Sequence, residues 1–317
     1  MSAQGVCSAC DRLGLRPHLR VAGEIGPDGL IPSTDRFGSA LGDIARCPHC
    51  GHMQLDPMPD EAILAGAYAQ AQSDAYIEEE AGQRETARRA LARIEAHVAG
   101  RGAILDLGCW VGFLLAEARE CGWRTFGVEP SEFGSSYARD ELGLDVVTGD
   151  LFSAELERAS FDAIVMGDVI EHLVSPAAAL ARIRELLAPG GVVSLAVPDA
   201  GSGVARVLGK RWWSVIPTHV QYFTRGSLAT LLERCGFEQL EVSTAPKAFT
   251  VGYYLERTGG YSPAVGRGLV RAARAAGVDE RMWAPDLRDR MAVIAGVRRT
   301  DAAEPMESRA DASTLPA

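Results

Sequence analysis

Between residues 101 and 243, short apolar runs alternate with amphipathic stretches, and this alternation constrains the fold more than any other feature. The spacing predicts strands at Ala103–Leu107, Arg124–Val128, Asp145–Thr148, Phe161–Met166 and Gly191–Val197. It predicts helices at Phe113–Cys121, around Phe133–Leu142, from about Ala177 to Leu187, and at Ser227–Cys235. Strands that alternate with helices pair in parallel through right-handed crossovers. An open α/β sheet with helices on both faces is therefore expected. Two late strands, Phe237–Ser243 and Met291–Arg298, extend it. The residues between them, about 246–290, form an insertion with a helix start at Ser262-Pro263. Arg267, Arg271 and Arg274 share one face of that helix, a solvated face or a grip for an anionic group.

The flanks divide as cleanly. Residues 59–100 read as a helical linker or lid, with Ala87, Leu91, Ile94 and Val98 opposite Arg84 and Arg88. Residues 300–317 have almost nothing to bury and are expected to be disordered. Residues 1–58 are rich in Gly and Pro and hold two chelating pairs, Cys7-Ser8-Ala9-Cys10 and Cys47-Pro48-His49-Cys50, 36 residues apart. The polar N-terminus is no signal peptide, and a cytoplasmic chain with seven cysteines favours metal over disulfides. Cys7, Cys10, Cys47 and Cys50 suit one tetrahedral, structural Zn²⁺ in a zinc-ribbon-like module, with His49 or His52 as possible replacements for a cysteine. A net charge of −10 argues against general nucleic-acid binding, and no apolar run is long enough to span a bilayer.

Ile104 to Leu114 is a strand, a turn with Gly108 and Gly112, and a helix start. Such a turn brings backbone close to a ligand and offers unpaired N–H groups. The second strand ends at Glu129, 21 residues after Gly108, where an acid in doubly wound folds accepts hydrogen bonds from ribose hydroxyls. Asp150, with Leu151, follows the third strand, where an adenine amino group could be read. With Asp106 these make three acids on consecutive strands, a set that suits a ribose and an amine and repels a phosphate.

Asp106–Gly112, Glu129, Gly149-Asp150, Asp168-Val169-Ile170-Glu171-His172 and Leu187-Ala188-Pro189-Gly190-Gly191 together resemble the class I S-adenosylmethionine-dependent methyltransferases. The resemblance implies a Rossmann-like, seven-stranded sheet whose last strand is antiparallel. It also implies S-adenosyl-L-methionine as cofactor, with Asp106, Gly108 and Gly112 around its methionine part, Glu129 at the ribose, and Asp150 and Leu151 at the adenine. Where Trp110 stands, that family has glycine.

Two histidines are candidate bases. His172 follows the fourth strand, and His219 lies in the aromatic loop Trp212–Phe223, which looks like a substrate-pocket wall. A catalytic metal on Glu171, His172 and His219 is a further reading that the resemblance allows. Tyr68 and Tyr76 could close over the cofactor. The zinc pair ahead of such a core resembles the natural-product sugar C-methyltransferases, whose N-terminal module could cover the acceptor site. The expected activity is methyl transfer to a small-molecule acceptor, a sugar or secondary metabolite, at oxygen. C- or N-methylation of a natural-product intermediate, or a protein substrate recruited through the zinc module, are the alternatives.

Overall fold

The computed structural model describes residues 5–23, 37–72 and 74–298, so the tail expected to be disordered lies outside the described residues. The chain begins with β1 (Arg16–Leu19), β2 (Ile44–Arg46) and β3 (Met53–Leu55). Three helices follow, α1 (Glu61–Ala69), α2 (Asp74–Glu78) and α3 (Glu80–Glu95). The alternating region then runs β4 (Ala103–Leu107), α4 (Phe113–Glu120), β5 (Arg124–Glu129), α5 (Glu132–Asp140) and β6 (Val146–Thr148). It continues with β7 (Phe161–Gly167), α6 (Pro176–Leu186), β8 (Leu187–Pro198), α7 (Gly203–Leu208), β9 (Gln221–Tyr222), α8 (Arg225–Arg234) and β10 (Phe237–Thr244). The insertion holds β11 (Phe249–Thr250), α9 (Val251–Arg257), α10 (Pro263–Ala275) and β12 (Met282–Trp283), before β13 (Arg290–Val297) closes the sheet.

The main sheet has seven strands in the order β10-β13-β8-β7-β4-β5-β6. β4, β5, β6, β7 and β8 pair in parallel, whereas β13 runs antiparallel to both β8 and β10. All five residues of β4 are buried because both faces are covered. Leu180, Ile183 and Leu186 of α6 pack with Leu228, Leu231 and Leu232 of α8 on a core that includes Leu105, Ile164 and Val193. Leu91 and Ile94 of α3 cluster with Ile104, Ala118 and Val165. The strand order reverses between β4 and β7, which opens a crevice at their carboxyl ends.

α3 has the expected apolar face, and its Arg84 and Arg88 reach Glu117 of α4 at 3.0 and 3.1 Å. The helix stops at Glu95, short of Gly100, and His97 turns to Glu241 of β10 at 3.0 Å.

Residues 1–58 supply most of a second, smaller sheet. Their sheet has four strands, β1-β2-β3-β9, and the fourth comes from the aromatic loop of the main domain. Met53 pairs with Tyr222 and Gln54 with Gln221. A segment with so few apolar residues completes its sheet by borrowing an edge.

Candidate functional site

The turn after β4 is built on left-handed backbone. Gly108 has φ +68° and Gly112 φ +84°. A Cβ on Gly108 would lie 2.7 Å from Val169 Cγ2, and one on Gly112 would lie 2.6 Å from Leu144 Cδ1, so neither position has room for a side chain. Trp110 also sits at positive φ, +51°, which explains why glycine suits this place. Two contacts hold it there. Its backbone N–H donates to Glu129 Oε2 at 2.7 Å, and its ring lies between Tyr76 at 6.0 Å and Phe133 at 5.9 Å.

Asp106 and Glu129 are buried together at the ends of β4 and β5. Burial, with the charge of Glu129 beside it, pushes the Asp106 carboxyl up to about 8. Burial also raises Glu129, against N–H donation from Ser131 at 2.8 Å and from Trp110. Asp150 differs from both. It is exposed, and its Oδ1 accepts from the N–H groups of Phe152 and Ser153 at 2.8 and 2.9 Å, so it shapes its own turn. Leu151 is buried against the core.

A cleft with a cavity volume of about 140 Å³, open to solvent, runs over this edge of the sheet. Asp106, Gly108 and Trp110 line it, as do Tyr76 of α2 and Asp168 at the end of β7. Two cations that sequence reasoning missed line it as well, Lys247 and Arg290. Lys247 Nζ lies 2.6 Å from Asp168 Oδ2, and the Arg290 guanidinium bonds to Asp168 Oδ1. These three residues are far apart in sequence. The one available signal was that Lys247 and Lys210 are the only lysines in the chain.

His172 and His219 meet with ring centroids 4.6 Å apart, next to Asp168 but not on the cleft wall. His172 Nδ1 donates to Thr218 O at 3.0 Å and also contacts the Tyr68 hydroxyl, while His219 Nδ1 donates to Ser214 O at 2.7 Å. The carbonyl acceptors make Nδ1 the donor in each ring. Burial pushes His172 down to about 4 and His219 well below its ordinary value, so both rings are neutral at physiological pH. Glu171 lies beside them, and its ligand oxygen and their nitrogens all fall within 4.8 Å of one another. Among the described residues neither Glu171 carboxyl oxygen has a hydrogen-bond partner, and burial together with Asp168 pushes this acid up to about 8. Such a trio could act in proton transfer or hold a divalent cation. Tyr76 stands over the cleft as expected, whereas Tyr68 covers the histidines instead.

The four cysteines converge. Cys7 and Cys50 sulfurs lie 3.6 Å apart, as do those of Cys10 and Cys47, and all four fall within 4.8 Å. Thiolates about 2.3 Å from a tetrahedral Zn²⁺ sit about 3.8 Å from one another, so this donor set fits that ion. His52 is not part of the set. It is buried, with Nε2 at 2.8 Å from Gln221 Oε1, and His49 is exposed. Arg267, Arg271 and Arg274 are exposed on α10, away from the cleft lining.

With this geometry in view, the family is plain. The Methyltransferase domain family model matches residues 79–242, and the chain belongs to that family. The chain accordingly carries a methyltransferase domain. Its relatives include the ubiquinone biosynthesis O-methyltransferase of Dinoroseobacter shibae, 28% identical over 44% of this chain and 60% of that protein. Another carries the same name in Nitrosococcus oceani and is 35% identical over 32% of this chain and 45% of that one. The chain thus spans less than two thirds of either relative. A solved S-adenosylmethionine-dependent methyltransferase of Archaeoglobus fulgidus is 20% identical, with a TM-score of 0.48 over 70% of this chain and 99% of that one. Among the described residues no helix is long and apolar enough to cross a membrane.

Proposed function

We propose that the protein methylates a hydroxyl oxygen of a small-molecule acceptor, a sugar or another secondary metabolite. The observation that carries this reading is the pair of neutral imidazoles, His172 and His219, each anchored through Nδ1 to a backbone carbonyl. A hydroxyl must lose its proton as it is methylated, and a positioned base contributes about 10²–10⁴-fold. The named O-methyltransferase relatives support oxygen as the target.

Asp106, Gly108 and Gly112 hold the methionine part of the donor, Glu129 the ribose, and Asp150 with Leu151 faces the adenine. When bound, S-adenosylmethionine supplies a methyl group on a positively charged sulfur. The backbone approach at Gly108 and the buried acids favour such a ligand over a pyrophosphate. Tyr68 shields His172 until an acceptor takes its place. His219 Nε2 accepts the hydroxyl proton, and His172 orients beside it. Zn²⁺ on Cys7, Cys10, Cys47 and Cys50 is structural.

A second reading rests on Glu171. Its unpartnered carboxylate and the two imidazoles could hold a divalent cation that lowers the pKa of the hydroxyl instead. Turnover that rises when Mg²⁺ or Mn²⁺ is added to chelator-treated protein supports this second reading, and indifference supports the base.

The test of the function is to incubate the protein with methyl-labelled donor and an extract of its own organism. A small molecule that gains one CH₂ on oxygen is the expected result. Label on carbon, nitrogen or protein would contradict it.

A further inference from the structure

We propose that Lys247 and Arg290 bind an anionic group, a carboxylate or a phosphate, on the acceptor. The inference rests on the methyltransferase reading of the cleft and names the class of molecule that enters it. Position is the first support. Gly108, Gly112 and Glu129 belong to the β4–β5 half of the sheet, whereas Arg290 opens β13 opposite Pro198 of β8, and Lys247 follows β10. The cations therefore line the half of the cleft that the donor's proposed contacts leave open.

Hydrogen bonding is the second support. The two cations share one carboxylate, Asp168. Arg290 also has a buried Nε with no partner among the described residues. An unused buried donor is costly, and an anion on the ligand would satisfy it. A guanidinium fork beside an ammonium is the pairing that carboxylates and phosphates accept well.

The test uses the full-length protein and the labelled product of the extract experiment. That product is expected to bind an anion exchanger at neutral pH. Loss of retention after phosphatase marks a phosphate, and unchanged retention marks a carboxylate. In Lys247→Met, KM for the isolated acceptor should rise about 10–100-fold, in line with loss of a hydrogen bond to a charged group. The dissociation constant for S-adenosylhomocysteine should stay within about threefold, and Lys247→Arg, which keeps the charge beside Asp168, should recover most of the KM. An uncharged or cationic product overturns the inference. So does a variant that loses S-adenosylhomocysteine but keeps its acceptor KM, because the cations would then hold the donor's own carboxylate. Unchanged values for both mark a purely structural cluster and overturn it too. No labelled product from the wild-type enzyme sinks the parent reading, and this one with it, whereas a labelled but neutral product sinks this one alone.

Discussion

Cys47→Ser, or removal of the metal by a chelator, is expected to lower turnover by about 10²–10⁴-fold, the contribution of a positioned base. Affinity for S-adenosylhomocysteine should change by less than about threefold. The reason is the shared sheet. β3 pairs with β9, Leu55 N–H donates to Val220 O at 3.0 Å, and Val220 N–H donates to Glu171 O at 3.0 Å. Gln221 adds a buried link, because His52 Nε2 donates to its Oε1 while its Nε2 donates to Leu173 O at 3.0 Å. His219 stands two residues before Gln221, so its position depends on a segment whose few apolar residues need the metal to stay folded. The donor half, β4 and β5, lies elsewhere in the main sheet. Measuring turnover and S-adenosylhomocysteine binding in parallel separates the two effects. A metal-free protein with full turnover would show that the cysteines do not hold the loop.

His219→Ala should also cost about 10²–10⁴-fold in turnover and leave donor binding intact. His172→Ala should cost less if His172 only orients its neighbour. The pH dependence gives an independent check. Because burial pushes His172 down to about 4 and His219 well below its ordinary value, both rings stay unprotonated as the pH falls through the usual histidine range, about 6.5. The acid limb of the rate profile is therefore expected well below pH 6.5. Stability follows the same groups. An unfolded chain binds protons on its histidines below about pH 6.5, while the folded His172 refuses one until about 4 and His219 stays neutral well below its ordinary value. His52, held at about 4 by burial, adds to this effect. Stability is thus full above about 6.5 and declines as the pH falls toward 4, so the rates need brief assays. Full turnover in both alanine variants, or an acid limb near 6.5, would remove the base from the mechanism.

The chain declared its strand–helix alternation openly, because a sheet buried on both faces demands continuous apolar runs such as Ala163–Met166. The glycine turn was equally legible, since Gly108 and Gly112 occupy backbone that other residues avoid. Local patterns cannot report long-range pairing. Nothing near Gln221 reveals that it receives His52, 169 residues away, or that β9 belongs to the small sheet. Lys247 and Arg290 were hidden for the same reason, since each acquires meaning only when β10 and β13 bring it to Asp168. Trp110 looked like an anomaly in a glycine position. Its backbone bond to Glu129 and its aromatic neighbours explain how a large residue is held in left-handed backbone.

Calorimetric titration of S-adenosylhomocysteine into Glu129→Ala, with Asp150→Ala and wild type alongside, tests the central claim most directly: that the donor's ribose is held at the end of β5. Loss of about 1.5–3 kcal/mol at Glu129 is expected, the range for a hydrogen bond to a charged group. The loss at Asp150 should be smaller, because its Oδ1 already serves Phe152 and Ser153. Unchanged affinity in a folded Glu129→Ala protein would contradict the placement of the donor.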